Sequence, residues 1–344
     1  MKTTLVLKKI SVQLWAVIGI CLVLLFVMPG QFYNFYNIQS ILNQVPELGI
    51  LAIGMLVVVL SGGIDLSIVS TAALSGIVGA LIMQNGREWA AFADSPIMLT
   101  LFAMVVSLGV AMVCGALNGA VISHIGVHPV LATLGTMTVY NGLAQGLTKG
   151  GEVSGFTLQF SMIGSGHVGP IPTPFIILIA ATIISHIILQ RTIWGRGLYM
   201  FGCNPVATLY SGVDTTKTNF KVYLFSSFMS FVAAVIMTSR YNTSKADLGA
   251  SYLLQSIAIV ILGGADINGG EGKVSGVFIA VFIVQILKTV FNILGMNPYT
   301  ADVVSGAILI GVLLSSTLTT RNIRISRRNP EAPQADSLED SNSN

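Results

Sequence analysis

Hydrophobic residues occupy this chain in long blocks separated by short polar stretches. A helix needs about 20 predominantly apolar residues to cross the hydrocarbon core of a bilayer. On that scale the pattern predicts ten spans, at 11–28, 40–60, 66–84, 97–122, 129–148, 172–190, 219–238, 251–263, 274–294 and 299–317. The eighth is short and reads as a partial crossing. The blocks lack the alternation over about ten residues that marks the strands of a membrane barrel. An all-α polytopic membrane protein follows, because helices satisfy their own backbone in lipid.

Two blocks end in the same way. Gly62-Gly63-Ile64-Asp65 follows 48–60, and Gly263-Gly264-Ala265-Asp266 follows 256–262. Each glycine disfavours helix by about 1 kcal/mol. An aspartate at membrane depth costs about 2.5–3.5 kcal/mol on insertion scales. Interrupted helices in corresponding parts of two halves point to the working region of a transporter. Asp65 directly precedes Leu66-Ser67 at the start of the third span, where it can cap free amides; contact with solute or a gate is the other role open to it. Asp266, followed by Ile267-Asn268-Gly269-Gly270, reads as a cytoplasmic turn. A second likeness joins Gly126-Val127-His128-Pro129, after the fourth span, to Gly295-Met296-Asn297-Pro298, after the ninth. With ten spans these two lie on opposite faces, as an inverted five-plus-five repeat requires. The two Gly-Gly breaks lie on the same face, which such a repeat does not give.

Composition agrees with the blocks. Of 344 residues, 53% are hydrophobic and 9% charged, with a mean hydropathy of +0.80; soluble domains carry about 25% charged residues. Lys and Arg set the orientation. With the N-terminus inside, the inside holds Lys2, Lys8, Lys9, Arg191, Arg196, Lys217, Lys221, Lys273, Arg321, Arg324, Arg327 and Arg328, twelve of the 17. The outside holds Arg87, Lys149, Arg240, Lys245 and Lys288, so both termini are expected in the cytoplasm. The first block has no small-residue cleavage site after Met28 and reads as an uncleaved span. Residues 1–318 form the transmembrane domain, and 319–344, rich in Pro, Ser, Asn and acidic residues, read as a disordered cytoplasmic tail.

The longest cytoplasmic connection is the loop 190–219. Asn204 is a good N-cap and Pro205 suits a first helical position. A short helix Pro205–Tyr210 is expected, ended by Gly212, with Val206, Leu209 and Tyr210 as its apolar residues. Two turns outside the membrane cannot support themselves. The helix either lies on lipid headgroups or docks on a cytoplasmic partner.

These segments together resemble the permease subunits of bacterial ABC importers of the ribose, xylose, arabinose and galactoside group. Gly62-Gly63-Ile64-Asp65-Leu66-Ser67 is similar to the family's hallmark Gly-Gly-Ile-Asp-Leu-Ser. Thr133-Leu134-Gly135 after Pro129 resembles its fifth-helix pattern. Gly195-Arg196 to Gly202, then Asn204 and Ser211-Gly212, resemble its coupling-helix loop. Gly263-Gly264, Gly269-Gly270, Gly272 and Gly276 resemble its late glycine pattern, and the likeness spans about residues 40–315. The resemblance implies about ten helices in the class of the vitamin B12 importer, with autoinducer-2 importers among the relatives. It implies a second permease copy, the same or different. It also implies a periplasmic substrate-binding protein and a cytoplasmic ATPase that carries the ATP and Mg²⁺. ATPase docking would fall to Arg196, Gly202, Asn204, Pro205, Val206, Ala207, Leu209, Ser211 and Gly212. Gating would fall to Gly62, Gly63, Asp65, Ser67, Gly263, Gly264 and Asp266. One departure concerns the solute: many sugar permeases carry an acidic pair in a Tyr-Glu-Leu-Asp-like stretch, where this chain has Tyr252-Leu253-Leu254-Gln255.

Other chemistry is sparse. Gly272-Lys273 is followed by Val274, and the first glycine of a P-loop would fall on Ile267, so the chain is not expected to bind ATP. His124 and His128 have no third ligand near them in sequence, and no metal site is expected. Cys21, Cys114 and Cys203 are scattered and read as small hydrophobes. No nucleophile, base and orienter recur together, so no catalytic residue is assigned, and no nucleic-acid partner is expected. Glu47, Asn118, Asn141 and Asp302 are pathway candidates; Glu47 and Asp302 otherwise sit near helix ends within reach of water. An ion-coupled secondary transporter is the alternative, and it would need one of these acids at the midplane. A permease fed by a high-affinity binding protein is expected to have a weakly polar channel without a charged pocket. Ala111, Gly115 and Gly119 suit close helix packing.

Overall fold

The computed structural model describes residues 29–86 and 95–297, with isolated residues 19, 303, 306 and 307. Apart from those isolated positions, the first and tenth predicted spans lie outside the described residues. So do Asp302 and the tail 319–344.

The described chain is helical. In order it forms α1 (Pro29–Phe32), α2 (Phe35–Leu60), α3 (Ile68–Asn85), α4 (Pro96–Ser123), α5 (Pro129–Thr148), α6 (Leu158–Ser165), α7 (Thr173–Arg191), α8 (Ile193–Cys203), α9 (Pro205–Tyr210), α10 (Thr215–Tyr241), α11 (Tyr252–Leu262) and α12 (Val274–Ile293). Four two-residue strands, β1 (Val153–Ser154), β2 (His167–Val168), β3 (Ile171–Pro172) and β4 (Thr243–Ser244), pair antiparallel as β1 with β4 and β2 with β3. Six of the described helices, α2, α3, α4, α7, α10 and α12, are long and apolar enough to cross a membrane. The hydrophobic blocks within the described residues thus became helices with ends shifted by a few residues. The helix of the eighth block, α11, has 11 residues.

α2 starts at Asn34, whose side chain accepts from the Tyr36 amide. From Val45 to Leu60 it is buried on every side, as expected of a helix that is apolar all round. It packs against α7, α10, α11 and α12. α10 lies across α2, α3 and α4. The predicted small-residue stripe serves this last contact: a Cβ on Gly115 would come within 2.8 Å of the Tyr223 carbonyl oxygen, and one on Gly119 within 3.1 Å of that of Phe220. The opposite face of α4 exposes Leu101, Phe102, Val105 and Val113, the side that lipid can cover.

Both Gly-Gly breaks lie at one end of the bundle, where the Gly270 N–H donates to the Leu60 carbonyl at 2.9 Å. The Gly126 turn (φ +84°) is at this end too, since Pro129 sits 3.1 Å from the Cβ position of Gly63. The Gly295 turn (φ +68°) follows the 20-residue α12, about 30 Å away along its axis. The two turns are therefore at opposite ends and the two breaks at the same end, as the span count requires.

Candidate functional site

The loop between α7 and α10 is a chain of caps. Thr192 Oγ1 accepts from the Gly195 amide at 3.1 Å and starts α8, an eleven-residue helix inside the segment expected to be a loop. Asn204 Oδ1 accepts from the Ala207 amide at 3.0 Å and starts α9, with Pro205 first. Gly212, at φ +80°, ends it. Asp214 then caps α10, accepting from the Lys217 amide at 2.9 Å. That amide bond, then the Lys217 ammonium at 2.9 Å, holds the Asp214 carboxyl below the usual carboxylate range. The predicted bounds Pro205–Tyr210 are those observed. α9 projects from the bundle with Val206, Leu209 and Tyr210 exposed, the last at 88%. Arg196, Asn204, Pro205, Ala207, Ser211 and Gly212 are exposed around them.

The inner side of the loop joins the two breaks. Tyr199 Oη donates to the Gly272 carbonyl at 2.9 Å. Gly202 packs so closely on the Leu60 carbonyl and the Gly270 amide that a methyl there would overlap both. Gly269, at φ +93°, closes the junction: a Cβ would lie 2.8 Å from the Gly62 nitrogen and 3.0 Å from the Gly202 carbonyl oxygen. Asp266 forms the expected turn, accepting from the Asn268 amide and from Asn268 Nδ2 at 2.9 Å each. Gly263 faces α12, where a Cβ would be 2.8 Å from the Val277 nitrogen. Gly264 takes φ +89°.

Asp65, 1% exposed, is held by hydroxyls and one amide. Its Oδ1 accepts from the Ser67 amide at 2.9 Å and the Ser67 hydroxyl at 2.7 Å, and its Oδ2 from the Ser226 hydroxyl at 2.8 Å. Asn118 Nδ2 donates to Ser67 Oγ, and Thr136 to Asn118 Oδ1, both at 2.7 Å. Leu66 N–H donates to Thr133 Oγ1 at 3.1 Å. The first break is thus tied to α3, α4, α5 and α10. Asp65 bonds Ser67, the residue just before α3, rather than the free amides inside the helix's first turn. Asn118 lies inside this network and is buried. Asn141 is half-buried on α5.

Glu47 corrects the expectation of a water-reachable helix end: it is 0% exposed. It pairs with Arg240 and accepts from Tyr252 Oη at 2.8 Å and Tyr241 Oη at 3.1 Å. Lys288 Nζ lies 5.3 Å from the Tyr252 ring centroid and donates to Gln255 Oε1 at 2.6 Å. A buried carboxylate needs a cation and hydrogen bonds to be tolerated, and α10 and α11 supply them. The Tyr252–Gln255 stretch, which lacks its own carboxylate, is therefore wired to one on α2. Arg240 and Tyr241 were missed as members of this cluster, because they stand some 190 positions from Glu47 and nothing in the hydrophobic pattern pairs them.

α5 has 20 residues but is not among the six apolar spans. Its outer face exposes Gly135, Thr138, Gly142 and Gln145 among leucines and valine.

The chain is similar in sequence to known permeases. The profile of the family described as branched-chain amino acid transport system / permease component matches residues 37–313. The ribose import permease protein RbsC of Bacillus subtilis (strain 168) is 35% identical over 298 residues, 86% of this chain and 89% of the relative. RbsC of Haemophilus influenzae is 33% identical over 85% of this chain and 88% of its own length. The autoinducer 2 import system permease protein LsrD of Escherichia coli (strain K12) is 31% identical over 81% and 83%. No solved structure matches the chain. With the long apolar helices, paired glycine breaks and match over nearly the whole membrane region, the chain belongs to the branched-chain amino acid transport system / permease component family.

Proposed function

We propose that this chain is the membrane-spanning subunit of an ATP-binding cassette importer in the bacterial inner membrane. It translocates a monosaccharide or related small polar solute, received from a periplasmic binding protein and driven by ATP on a separate cytoplasmic ATPase. The names of the relatives, ribose and autoinducer 2 import permeases, support the solute class. Ten spans, a fold of the vitamin B12 importer class, both termini in the cytoplasm and a disordered tail complete this reading.

The observation that carries it is α9. A six-residue helix that exposes Val206, Leu209 and Tyr210 needs a partner, and its neighbour α8 is packed directly on both glycine breaks. A groove of the ATPase is the proposed partner, with Arg196 and Asn204–Gly212 at the contact. Closure of the ATPase then moves α9, and the Gly202–Gly269–Gly62 backbone junction passes the movement to the ends of α2 and α11. The Asp65 network relays it to α3, α4, α5 and α10. The outer face of α5, too polar for lipid along Thr138 and Gln145, is proposed to face the second permease copy and the solute path.

The test is purification of the tagged chain from its native membrane under mild detergent, with mass spectrometry of what accompanies it. An ATPase and a binding protein still holding its solute are expected. Cysteine at Val206 should crosslink to that ATPase. A chain that emerges alone, or a Val206→Cys variant that never crosslinks while transport runs, would sink the docking assignment.

A further inference from the structure

The end of the bundle opposite α9 carries an opening of about 370 Å³ lined by Tyr36, Gln39, Ser40, Asn43, Ser165, His167 and Arg240. α10 runs 27 residues from the docking loop to Arg240, about 40 Å at helical rise. The opening is therefore on the side where an importer receives its solute. We propose that it is a low-affinity entry site for a neutral, hydroxyl-rich solute of monosaccharide size. This deepens the importer reading and rests on it.

Its size is the first ground, because ligand pockets span about 300–1,000 Å³. The second is sequence spacing. Residues 36, 39, 40 and 43 are at i, i+3, i+4 and i+7 and so share one face of α2. This is a polar stripe on the first turns of a helix whose other residues are apolar except Asn37, Gln44 and Glu47. The stripe is held in place: Asn43 Nδ2 donates to the Gln39 carbonyl at 3.0 Å, Gln44 Nε2 to Ser40 Oγ at 2.8 Å, and Gln285 Nε2 to Gln44 Oε1 at 2.9 Å.

Charge selects the ligand class. Among the described residues the lining includes no carboxylate and no lysine; the groups in it that can carry a positive charge are the His167 imidazole and Arg240, whose charge is balanced by the buried Glu47. What remains is a set of donors and acceptors without net charge. Side-chain amides supply both kinds, and so do Ser40 and Ser165. A sugar hydroxyl, which donates and accepts, can use such a set fully; an anion, which only accepts, cannot. Tyr36, 75% exposed, adds an aromatic side chain to the lining, a group that can stack on the C–H side of a sugar ring. The openness to water keeps affinity low, as hydrogen bonds here exchange with solvent.

The full-length permease, assembled with its second copy and its ATPase in lipid nanodiscs and with the binding protein left out, is titrated by saturation-transfer NMR. The probes are D-ribose, D-xylose and D-galactose, with sodium acetate as the anionic probe. A saturable response to at least one sugar is expected. The double variant Gln39→Ala/Asn43→Ala should weaken it about tenfold, about 1.4 kcal/mol, without changing elution or melting. Ser165→Trp, which fills the opening from the end of α6, should abolish it even if the double variant fails to assemble. No sugar response, a response unmoved by Ser165→Trp, or saturation by acetate alone would overturn the site; acetate alone would make it a carboxylate contact. ATP-driven uptake of the same sugars into proteoliposomes reads the importer function separately. Uptake without any response sinks only the entry site. A response without ATP-dependent uptake sinks only the importer.

Discussion

Gly269→Ala should separate ATP hydrolysis from transport. At φ +93° an alanine is in the left-handed region, which costs an L residue about 1–2 kcal/mol. Its Cβ would also lie 2.8 Å from the Gly62 nitrogen, 3.0 Å from the Gly62 Cα and 3.0 Å from the Gly202 carbonyl oxygen. All three are backbone atoms, so no rotamer change relieves the contact. An ordinary contact begins at 3.4 Å, and the three segments must part by about half an ångström. Overpacking of this kind costs about 1–3 kcal/mol. The expected total is about 2–5 kcal/mol, spent at the one place where α8, the first break and the second break meet. In proteoliposomes holding the assembled importer, ATPase activity should persist while solute moved per ATP falls. Thermal unfolding should begin at lower temperature. Gly109→Ala, inside α4 with nothing within 4 Å of its Cβ position, is the control; it should leave solute moved per ATP unchanged and raise the unfolding temperature if anything, since alanine favours helix over glycine by about 1 kcal/mol. A Gly269→Ala importer that melts and transports like the parent would refute the claim that this junction transmits the ATPase movement.

Three further outcomes follow from the same contacts. Asn204→Ala removes the cap on the Ala207 amide, worth about 1 kcal/mol; the frayed α9 should bind the ATPase more weakly in a pull-down, and unchanged binding would count against docking through this helix. Glu47→Gln leaves the half-buried Arg240 without its counter-ion and should cost less in thermal unfolding than the about 3–5 kcal/mol of a fully buried pair, because water reaches the guanidinium, whereas the paired change Glu47→Leu/Arg240→Leu should cost less still; equal losses would show that packing rather than charge holds this end. Because the Asp214 carboxyl is depressed in the folded chain, its cap on α10 contributes stability that is present above the ordinary carboxylate range and lost as pH falls through the depressed value; protection of the Lys217 amide, followed against pH, should drop on that limb in the parent and show no such step in Asp214→Ala.

Much of this architecture was legible before any coordinates. Runs of apolar residues too long for strands fixed the helices, because lipid leaves a backbone no other partner. Asn204-Pro205 and Gly212 marked both ends of α9, since capping and left-handed turns are local chemistry written in neighbouring residues. The Gly-Gly breaks were legible for the same reason. α8 was missed although Thr192 could have been read as its cap, because Gly195 and Gly197 weaken a helix pattern that only packing against α7 and α10 restores. What the sequence could not supply was which distant residues meet. Glu47 reads as a solvated helix end until α10 and α11 bring Arg240, Tyr241 and Tyr252 around it. Gly269 reads as a turn residue until Gly62 and Gly202 close on it from two other segments. Local hydrogen bonding and hydropathy depend on near neighbours and are set by the sequence alone; the pairing of buried charges and the close approach of glycines depend on how whole helices cross, and only the tertiary structure decides them.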